Sequence, residues 1–261
     1  MKTEISSKNN SKLKELKKIV KEKNDYLLIE GMKLFVEAVK SGVQIERIYV
    51  DKKNISLLSK IFPEYKQSEV VIVTNEILAA SYTTESSPGK EDLILALAMK
   101  PKWDIDLIIK QKKSIVYLER IQDPGNLGTI LRSSLAFDSS AVCLSKDSVD
   151  PFNTKVIRAS SGAIFNMPTF TIDNFASFCS KIKVNKYRIV ATKVNAKKTL
   201  NDLNISTPSL FLFGNEGSGL SEKAINLADE AIKIPQSIKV ESLNLGVSVS
   251  LILWELYRCK G

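Results

Sequence analysis

Short apolar runs alternate with amphipathic segments along most of the chain. Runs of apolar residues bounded by turn residues predict buried strands, and apolar positions recurring every three or four residues predict helices. The strands predicted before residue 100 are 27–30, 48–50, 70–73 and 93–98. A helix is predicted over 33–41, closed by Gly42. This pattern predicts a compact α/β domain of about 100 residues, a size that folds independently.

A second alternation of the same kind fills the remainder of the chain. Its predicted strands are 114–118, 141–144, 188–192, 209–213 and 231–234. Helical patterns separate most of these strands, which favours a largely parallel sheet with helices on both faces. Pro101 and a polar, charged stretch interrupt the pattern between the two halves. We therefore expect an N-terminal α/β domain over 1–100, a linker over 101–113 and a second α/β domain over 114–261.

The charge of the chain suggests an anionic partner. Among 261 residues, 38 lysines and arginines stand against 29 aspartates and glutamates, for a net charge of +9. A soluble protein with a basic surface explains this charge equally well. Many lysines precede residue 24, where Leu13, Leu16, Ile19 and Val20 recur at helical spacing. This segment predicts an amphipathic helix whose basic face is either solvated or in contact with phosphates.

The absence of histidine excludes several kinds of chemistry. Ser-His-Asp hydrolysis, Cys-His catalysis and histidine-ligated metal sites all need an imidazole. The three cysteines, Cys143, Cys179 and Cys259, lack the paired spacing of a disulfide framework or a zinc ribbon. No apolar run is long enough to cross a bilayer, and the N-terminus has no signal-peptide pattern. We expect a cytoplasmic protein without a metal site.

Three polar, turn-rich segments follow predicted strands, at 119–132, 214–221 and 234–246. In an open α/β sheet, ligands bind beyond the carboxyl ends of the strands, so these segments are the candidates for chemistry. In the first, Asn126 is predicted to cap a helix that begins near residue 127, and Arg132 lies on that helix away from its apolar positions. A capped helix with an exposed arginine explains this segment without any function.

The second and third segments exceed what a simple turn requires. Gly214, Gly217 and Gly219 let the backbone approach a ligand closely and present Glu216 at the edge of the sheet. A P-loop is excluded because Leu220, not lysine, stands between the last glycine and Ser221, and the glycine spacing is not that of a dinucleotide fold. In the third segment, Ser242 and Asn244 precede a helix predicted over 247–256, where capping explains only one of them.

Together the three segments resemble the SpoU-type (TrmH) family of RNA 2′-O-ribose methyltransferases, in the SPOUT superfamily. The resemblance is carried by Asn-Leu-Gly-Thr-Ile-Leu-Arg within 123–132, Gly-Asn-Glu-Gly-Ser-Gly-Leu-Ser at 214–221, and Ile-Pro with Glu-Ser-Leu-Asn within 234–249. It spans 114–258, with a weaker likeness from 12 to 98 to the family's N-terminal substrate-binding domain. Two positions depart from the family pattern, Gln236 where methionine is common and Ile238 where glycine is frequent.

The resemblance implies an α/β fold with a deep trefoil knot in the C-terminal domain, S-adenosylmethionine as cofactor, a homodimer and an RNA substrate. Ribosomal RNA is preferred, and transfer RNA or a non-catalytic RNA-binding role are the alternatives. The catalytic residues it implies are Asn126, Arg132, Glu216, Ser242 and Asn244. The cofactor-binding residues it implies are Leu212, Phe213, Gly214, Asn215, Gly217, Ile234, Gln236, Leu243 and Asn244.

Overall fold

The computed structural model describes residues 3–5, 12–13, 15–16, 19, 25–83, 93–203 and 206–259. The contacts between residues divide the chain into two compact units. The first unit combines 1–101 with 152–165, and the second combines 102–151 with 166–261. None of the helices in the described ranges has both the length and the apolar character that a membrane span requires.

Strands and helices alternate along most of the described chain. The strands are β1 (Thr3–Ile5), β2 (Tyr26–Glu30), β3 (Ile45–Val50), β4 (Glu69–Val73), β5 (Ile94–Met99), β6 (Ile115–Leu118), β7 (Ala141–Ser145), β8 (Thr169–Ile172), β9 (Arg188–Thr192), β10 (Lys198–Thr199), β11 (Ser209–Phe213) and β12 (Glu230–Lys233). The helices are α1 (Met32–Lys40), α2 (Ile55–Ile61), α3 (Asn75–Ala79), α4 (Ile105–Lys110), α5 (Pro124–Ala136), α6 (Thr154–Ala159), α7 (Phe175–Val184), α8 (Glu222–Leu227) and α9 (Leu245–Arg258).

The first unit contains a five-stranded mixed sheet in the order β1-β4-β3-β5-β2. β1 and β3 run parallel to β4, whereas β5 runs antiparallel to its neighbours β2 and β3. One face of this sheet is covered by Leu13 and Leu16, which are buried against Tyr49 and Val71. The predicted apolar side of the N-terminal helix is therefore confirmed at these two leucines, while Val20 and most of the N-terminal lysines lie outside the described residues.

The second unit is built on a seven-stranded sheet in the order β10-β12-β9-β11-β6-β7-β8. Every pairing in it is parallel, which confirms the predicted sheet type. Because side chains alternate between the faces of a strand, Ile115 and Tyr117 of β6 pack with residues of α4, α7 and α8 on one face. Val116 and Leu118 are buried on the other face, where α5 contacts β7 and in turn packs against α9.

The division into units differs from the boundaries expected from the sequence in two ways. Residues 102–113 belong to the second unit and contain α4, whose Ile108 and Ile109 are buried in its core. Residues 152–165, between β7 and β8, group with the first unit because α6 contacts β2. The sequence pattern did not indicate β1, β8 or β10, because each is short and lies at a sheet edge where apolar residues are few.

Candidate active site

The three segments singled out in the sequence meet at the carboxyl edge of the parallel sheet. They follow β6, β11 and β12, and the strand order places these ends close together around β9. The second and third segments line a cleft of about 570 Å³. From these two segments the lining residues are Gly214, Asn215, Glu216, Gly217, Ser218, Gly219, Ile234, Gln236, Glu241, Ser242, Leu243, Asn244 and Leu245.

A chain of side-chain hydrogen bonds joins all three segments. Asn126 donates from Nδ2 to Oε1 of Glu216 at 2.9 Å, and Asn244 donates from Nδ2 to Oδ1 of Asn126 at 2.8 Å. Asn244 also caps α9, because its Oδ1 accepts from the backbone N–H of Val247. The amide of Asn126 thereby holds the carboxylate of Glu216 at the cleft, and the amide of Asn244 determines the orientation of the Asn126 amide.

Asn126 is available for this network because it is not the cap of its helix. The sequence led us to expect that Asn126 caps a helix beginning near 127, but this expectation was wrong. Asp123 is the cap: its carboxylate accepts from the backbone N–H groups of Gly125 and Asn126, and α5 begins at Pro124. Proline suits the first helical position, since it has no N–H to lose there.

The glycine-rich segment after β11 folds back on itself. A Cβ atom on Gly214 would lie only 2.0 Å from the backbone carbon of Gly219, so no other residue fits at position 214. The backbones of Asn215 and Gly219 bond to each other in both directions, at 3.1 and 2.9 Å. Oδ1 of Asn215 accepts from the backbone N–H groups of Gly217 and Ser218. The segment is therefore an internally bonded loop that presents Glu216 in one orientation.

Glu119 and Arg120, which directly follow β6, hold this loop from the outside. The carboxylate of Glu119 accepts from both the backbone N–H and the hydroxyl of Ser221, each at 2.7 Å. Arg120 has φ 57°, a conformation that costs free energy for a residue with a side chain. In this conformation its carbonyl oxygen accepts from Nδ2 of Asn215 at 2.8 Å. We infer that the strain at Arg120 is retained because it places this acceptor under the loop.

Arg132 lies apart from the network. Its side chain is exposed on α5 and lines a separate, shallow depression with Thr129, Ser133 and Phe137. Within the described part of the chain, the guanidinium makes no hydrogen bond or ion pair. The structure thus joins Asn126 and Asn244 to each other and to Glu216, and does not join either of them to Arg132.

The residues expected to bind a cofactor line the cleft, with the exception of Leu212. Leu212 is fully buried, and its carbonyl oxygen accepts from the hydroxyl of Thr192 at 2.8 Å. Gln236 donates from Nε2 to the carbonyl oxygens of Val240 and Glu241, which closes the third segment into a loop. Ile238, at the other departure from the family pattern, is fully exposed.

The cleft also contains residues that the sequence did not point to. Thr192, Lys193 and Val194, at the end of β9, form part of its wall, as does Lys233 at the end of β12. The rule that ligands lie beyond the carboxyl ends of parallel strands applies to β9 as well, and it would have found these residues. They lacked the glycines and turn residues that drew attention to the other segments.

The size and chemistry of the cleft fit a small zwitterionic cofactor. Its volume lies within the range of about 300 to 1,000 Å³ that is usual for small-molecule pockets. Apolar walls come from Phe213, Ile234 and Leu243, and charged groups of both signs are present, including Glu216 and Lys193. S-adenosylmethionine combines an aromatic base with a cationic sulfonium, an ammonium and a carboxylate, and this lining offers a partner for each.

Residues 113–254 match the model of the SpoU rRNA Methylase family. The chain belongs to this family. Residues 8–89 match the MRM3-like substrate binding domain. An uncharacterized tRNA/rRNA methyltransferase of Synechocystis sp. is 30% identical to this SpoU family member, covering 97% of this chain and 93% of the relative. The 23S rRNA (guanosine(2553)-2′-O)-methyltransferase RlmP of Bacillus subtilis is 25% identical, covering 97% of this chain and 98% of the relative.

Solved structures share the fold over nearly the entire length of this SpoU family member. The SpoU methyltransferase AviRb of Streptomyces viridochromogenes, in complex with AdoMet, superposes with a TM-score of 0.85 at 22% identity, covering 97% of this chain and 98% of AviRb. An AdoMet-bound rRNA methyltransferase of Sinorhizobium meliloti has a TM-score of 0.83 at 23% identity, covering 99% and 98%. The predicted family, α/β fold and class of enzyme, an S-adenosylmethionine-dependent RNA methyltransferase, are confirmed.

Proposed function

We propose that this protein methylates the 2′-hydroxyl of one ribose in structured ribosomal RNA. The observation that carries the proposal is the chain of hydrogen bonds from Asn244 through Asn126 to Glu216, which lies where the three family segments meet the cleft. The N-terminal match to a substrate binding domain and the net charge of +9 support a large anionic substrate. Transfer RNA is the alternative substrate.

Residues around the cleft have a limited chemical task. When bound, S-adenosylmethionine supplies a methyl group already activated by its sulfonium. The protein has to place a ribose oxygen in line with that methyl group and assist loss of the hydroxyl proton. Asn126 and Asn244 fix the orientation of Glu216, whose carboxylate retains lone pairs for a hydroxyl. Ser242, exposed at the cleft, offers a further hydrogen bond to the ribose.

Arg132 is assigned a role in orientation and charge stabilisation. A guanidinium keeps its proton at any accessible pH, so it does not act as the base. Its charge instead orients the ribose hydroxyl or the adjacent phosphate and stabilises the negative charge that develops on the oxygen. The proton then passes to water, to phosphate or to Glu216.

The active molecule in this proposal is a homodimer. Val247, Leu251 and Trp254 are exposed at successive turns of α9, and Leu135 is exposed on α5, which packs against it. An apolar face of this kind is typical of a surface that a second copy covers. Because Arg132 lies one turn from Leu135 on the same helix, its exposed guanidinium then reaches an active site completed at the dimer interface.

Two further features complete the proposal. The deep trefoil knot implied by the family resemblance is proposed for the second unit, and an experimental chain trace from β11 to α9 tests it. The protein is proposed to act in the cytoplasm, where ribosomal RNA is available and where its free cysteines stay reduced.

Mapping of ribose methylation in total RNA tests this function. RNA from cells with and without the gene is compared by a method that reads 2′-O-methyl groups at every position. We expect one ribosomal mark to vanish and to return with the wild-type gene but not with Asn126→Ala. Loss of a mark in transfer RNA would establish the alternative substrate. An unchanged methylation map, with RNA binding intact, would establish a non-catalytic protein.

A further inference from the structure

Two lysines lie side by side in the wall of the cleft. β9 and β12 pair in parallel with Thr192 opposite Ile232, and the backbone N–H of Lys193 donates to the carbonyl of Ile232 at 2.9 Å. The ladder therefore continues one residue further and brings Lys193 next to Lys233. Both side chains are half-buried, and both line the cleft.

These lysines have no carboxylate partner among the described residues. The opposite end of β12 provides a contrast, because Glu230 there pairs with Arg188 at 3.0 Å and with Lys198 at 2.8 Å. The acidic residues of the cleft are Glu216 and Glu241, and neither forms an ion pair with Lys193 or Lys233. Like charges on neighbouring strands repel each other, so an anion bound between the two lysines would relieve this repulsion.

We propose that Lys193 and Lys233 bind the carboxylate of the amino-acid end of S-adenosylmethionine. This inference rests on the proposed function. The carboxylate is the only anionic group of that cofactor, and these are the only cationic side chains that line the cleft among the described residues. The two glutamates of the cleft complement the ammonium and sulfonium charges.

The position of the pair favours a small ligand over an RNA phosphate. Lys193 and Lys233 are half-buried at the ends of sheet strands, inside a cleft whose volume suits one small molecule. Phosphates of a folded RNA are contacted mainly by exposed side chains that reach out from a surface. The lysine pair therefore selects for ligands that carry the aminocarboxylate chain, and against truncated nucleosides that lack it.

Two ligands that differ in this chain provide the test. S-adenosylhomocysteine carries the carboxylate, whereas 5′-methylthioadenosine lacks the whole aminocarboxylate end. Kd values for both are measured by calorimetry on the full-length wild type, on Lys193→Met and on Lys233→Met. The control is Lys198→Met, which removes a lysine of the same sheet that is paired with Glu230 outside the cleft. Affinity for a ribosomal RNA fragment is measured on the same proteins.

In Lys193→Met and in Lys233→Met we expect the Kd for S-adenosylhomocysteine to rise roughly tenfold, as it does when a charged hydrogen bond is lost. The Kd for 5′-methylthioadenosine should change less than about twofold. Lys198→Met should change neither. If the variants bound both ligands equally more weakly, or lost affinity for RNA alone, the carboxylate assignment would be overturned. The proposed function would still stand. A wild type that binds neither nucleoside would overturn the proposed function along with it.

Discussion

Asn126 contacts two other residues of the network through a single amide group, so its chemistry can be altered without altering its size. Asn126→Asp keeps the acceptor for Asn244 but replaces the donor to Glu216 with an oxygen that repels it. We expect kcat to fall on the order of a hundredfold, as when a preorganised donor is lost, while S-adenosylhomocysteine affinity changes little. Single-turnover kinetics and calorimetry measure the two effects.

The matched control for this change is Gln122→Glu. Gln122 lies four residues before Asn126, is exposed, and donates to the backbone carbonyl of Asp147 at 2.7 Å and, at a longer 3.5 Å, to that of Arg120. The same amide-to-carboxylate change there should leave kcat near the wild-type value. If Asn126→Asp turned over at the wild-type rate, the hydrogen bonds that join Asn244, Asn126 and Glu216 would have no role in the reaction.

Arg132 is predicted to act on the substrate and not on the cofactor. Arg132→Lys retains the positive charge but loses the planar, forked donor geometry that orients an oxygen and a phosphate together. Most turnover should disappear, with S-adenosylhomocysteine affinity nearly unchanged. Arg188→Lys, at the start of β9 and paired with Glu230 away from the cleft, makes the same change and should remain active. Normal turnover by Arg132→Lys would contradict the assignment.

Glu69 in the first unit gives a prediction about pH. Hydrogen bonds from Lys12 and then from Arg47 lower the pKa of this carboxyl group. A lowered pKa in the folded state means that the ionised carboxylate stabilises the fold above its unfolded pKa, and that this contribution is lost as pH falls through the folded pKa. Partial exposure keeps the contribution to about 1 kcal/mol or less.

Glu69→Gln should therefore lower the free energy of unfolding at pH 7 and lose this effect in acid. Denaturant titrations of wild type and variant at pH 7 and near pH 3 measure the difference at each pH. A difference that stays constant between the two pH values would show that packing, and not charge, is responsible. Glu64→Gln is the control, since Glu64 is exposed.

The glycine loop after β11 is the element whose geometry is most tightly constrained. Gly214→Ala places a Cβ atom against the backbone of Gly219 and Leu220, which cannot move aside as a flexible side chain would. We expect destabilisation of at least about 1 to 3 kcal/mol, the usual cost of overpacking. Gly217→Ala is the matched comparison for stability, because its nearest neighbour would be Oδ1 of Asn215 at 3.6 Å. Thermal melting measures both.

A melting temperature for Gly214→Ala equal to that of Gly217→Ala would contradict the described loop. Both variants add one methyl group to the same loop, at positions three residues apart. Only the crossing of the chain at Gly219 distinguishes them. The comparison therefore tests the tertiary path of the loop and not the general cost of replacing glycine.

The proposed homodimer is tested by substitutions at exposed leucines. Leu251→Glu puts a charge into the apolar face of α9 and should yield a monomer that still binds S-adenosylhomocysteine but turns over slowly. Leu107→Glu makes the same change at an exposed leucine on α4, outside the proposed interface. Light scattering after size exclusion measures the mass. A wild type that is monomeric at micromolar concentration would contradict the proposal.

The order of strands explains how distant parts of the chain form one site. Asn126 is separated by 90 residues from Glu216 and by 118 from Asn244, yet hydrogen bonds join all three. Parallel strands bring their carboxyl ends to one edge, so loops after β6, β11 and β12 meet there whatever their separation along the chain. The same edge contains Lys193 and Lys233, which no sequence motif marks.

Local pattern was enough to predict most strands of both sheets, the parallel sheet and the three loops, because apolar periodicity and turn residues act over a few neighbouring positions. The Asp123 cap of α5 is also a local feature, made with N–H groups two and three residues on, although the sequence analysis assigned the cap to Asn126. Tertiary structure alone decided that Asn126 contacts Glu216 and Asn244, that Arg132 stands apart from the network, and that 152–165 groups with the first unit. It also decided that Lys193 stands beside Lys233. Each of these depends on which distant parts of the chain become neighbours, and packing across the folded chain decides this, not any short stretch of residues.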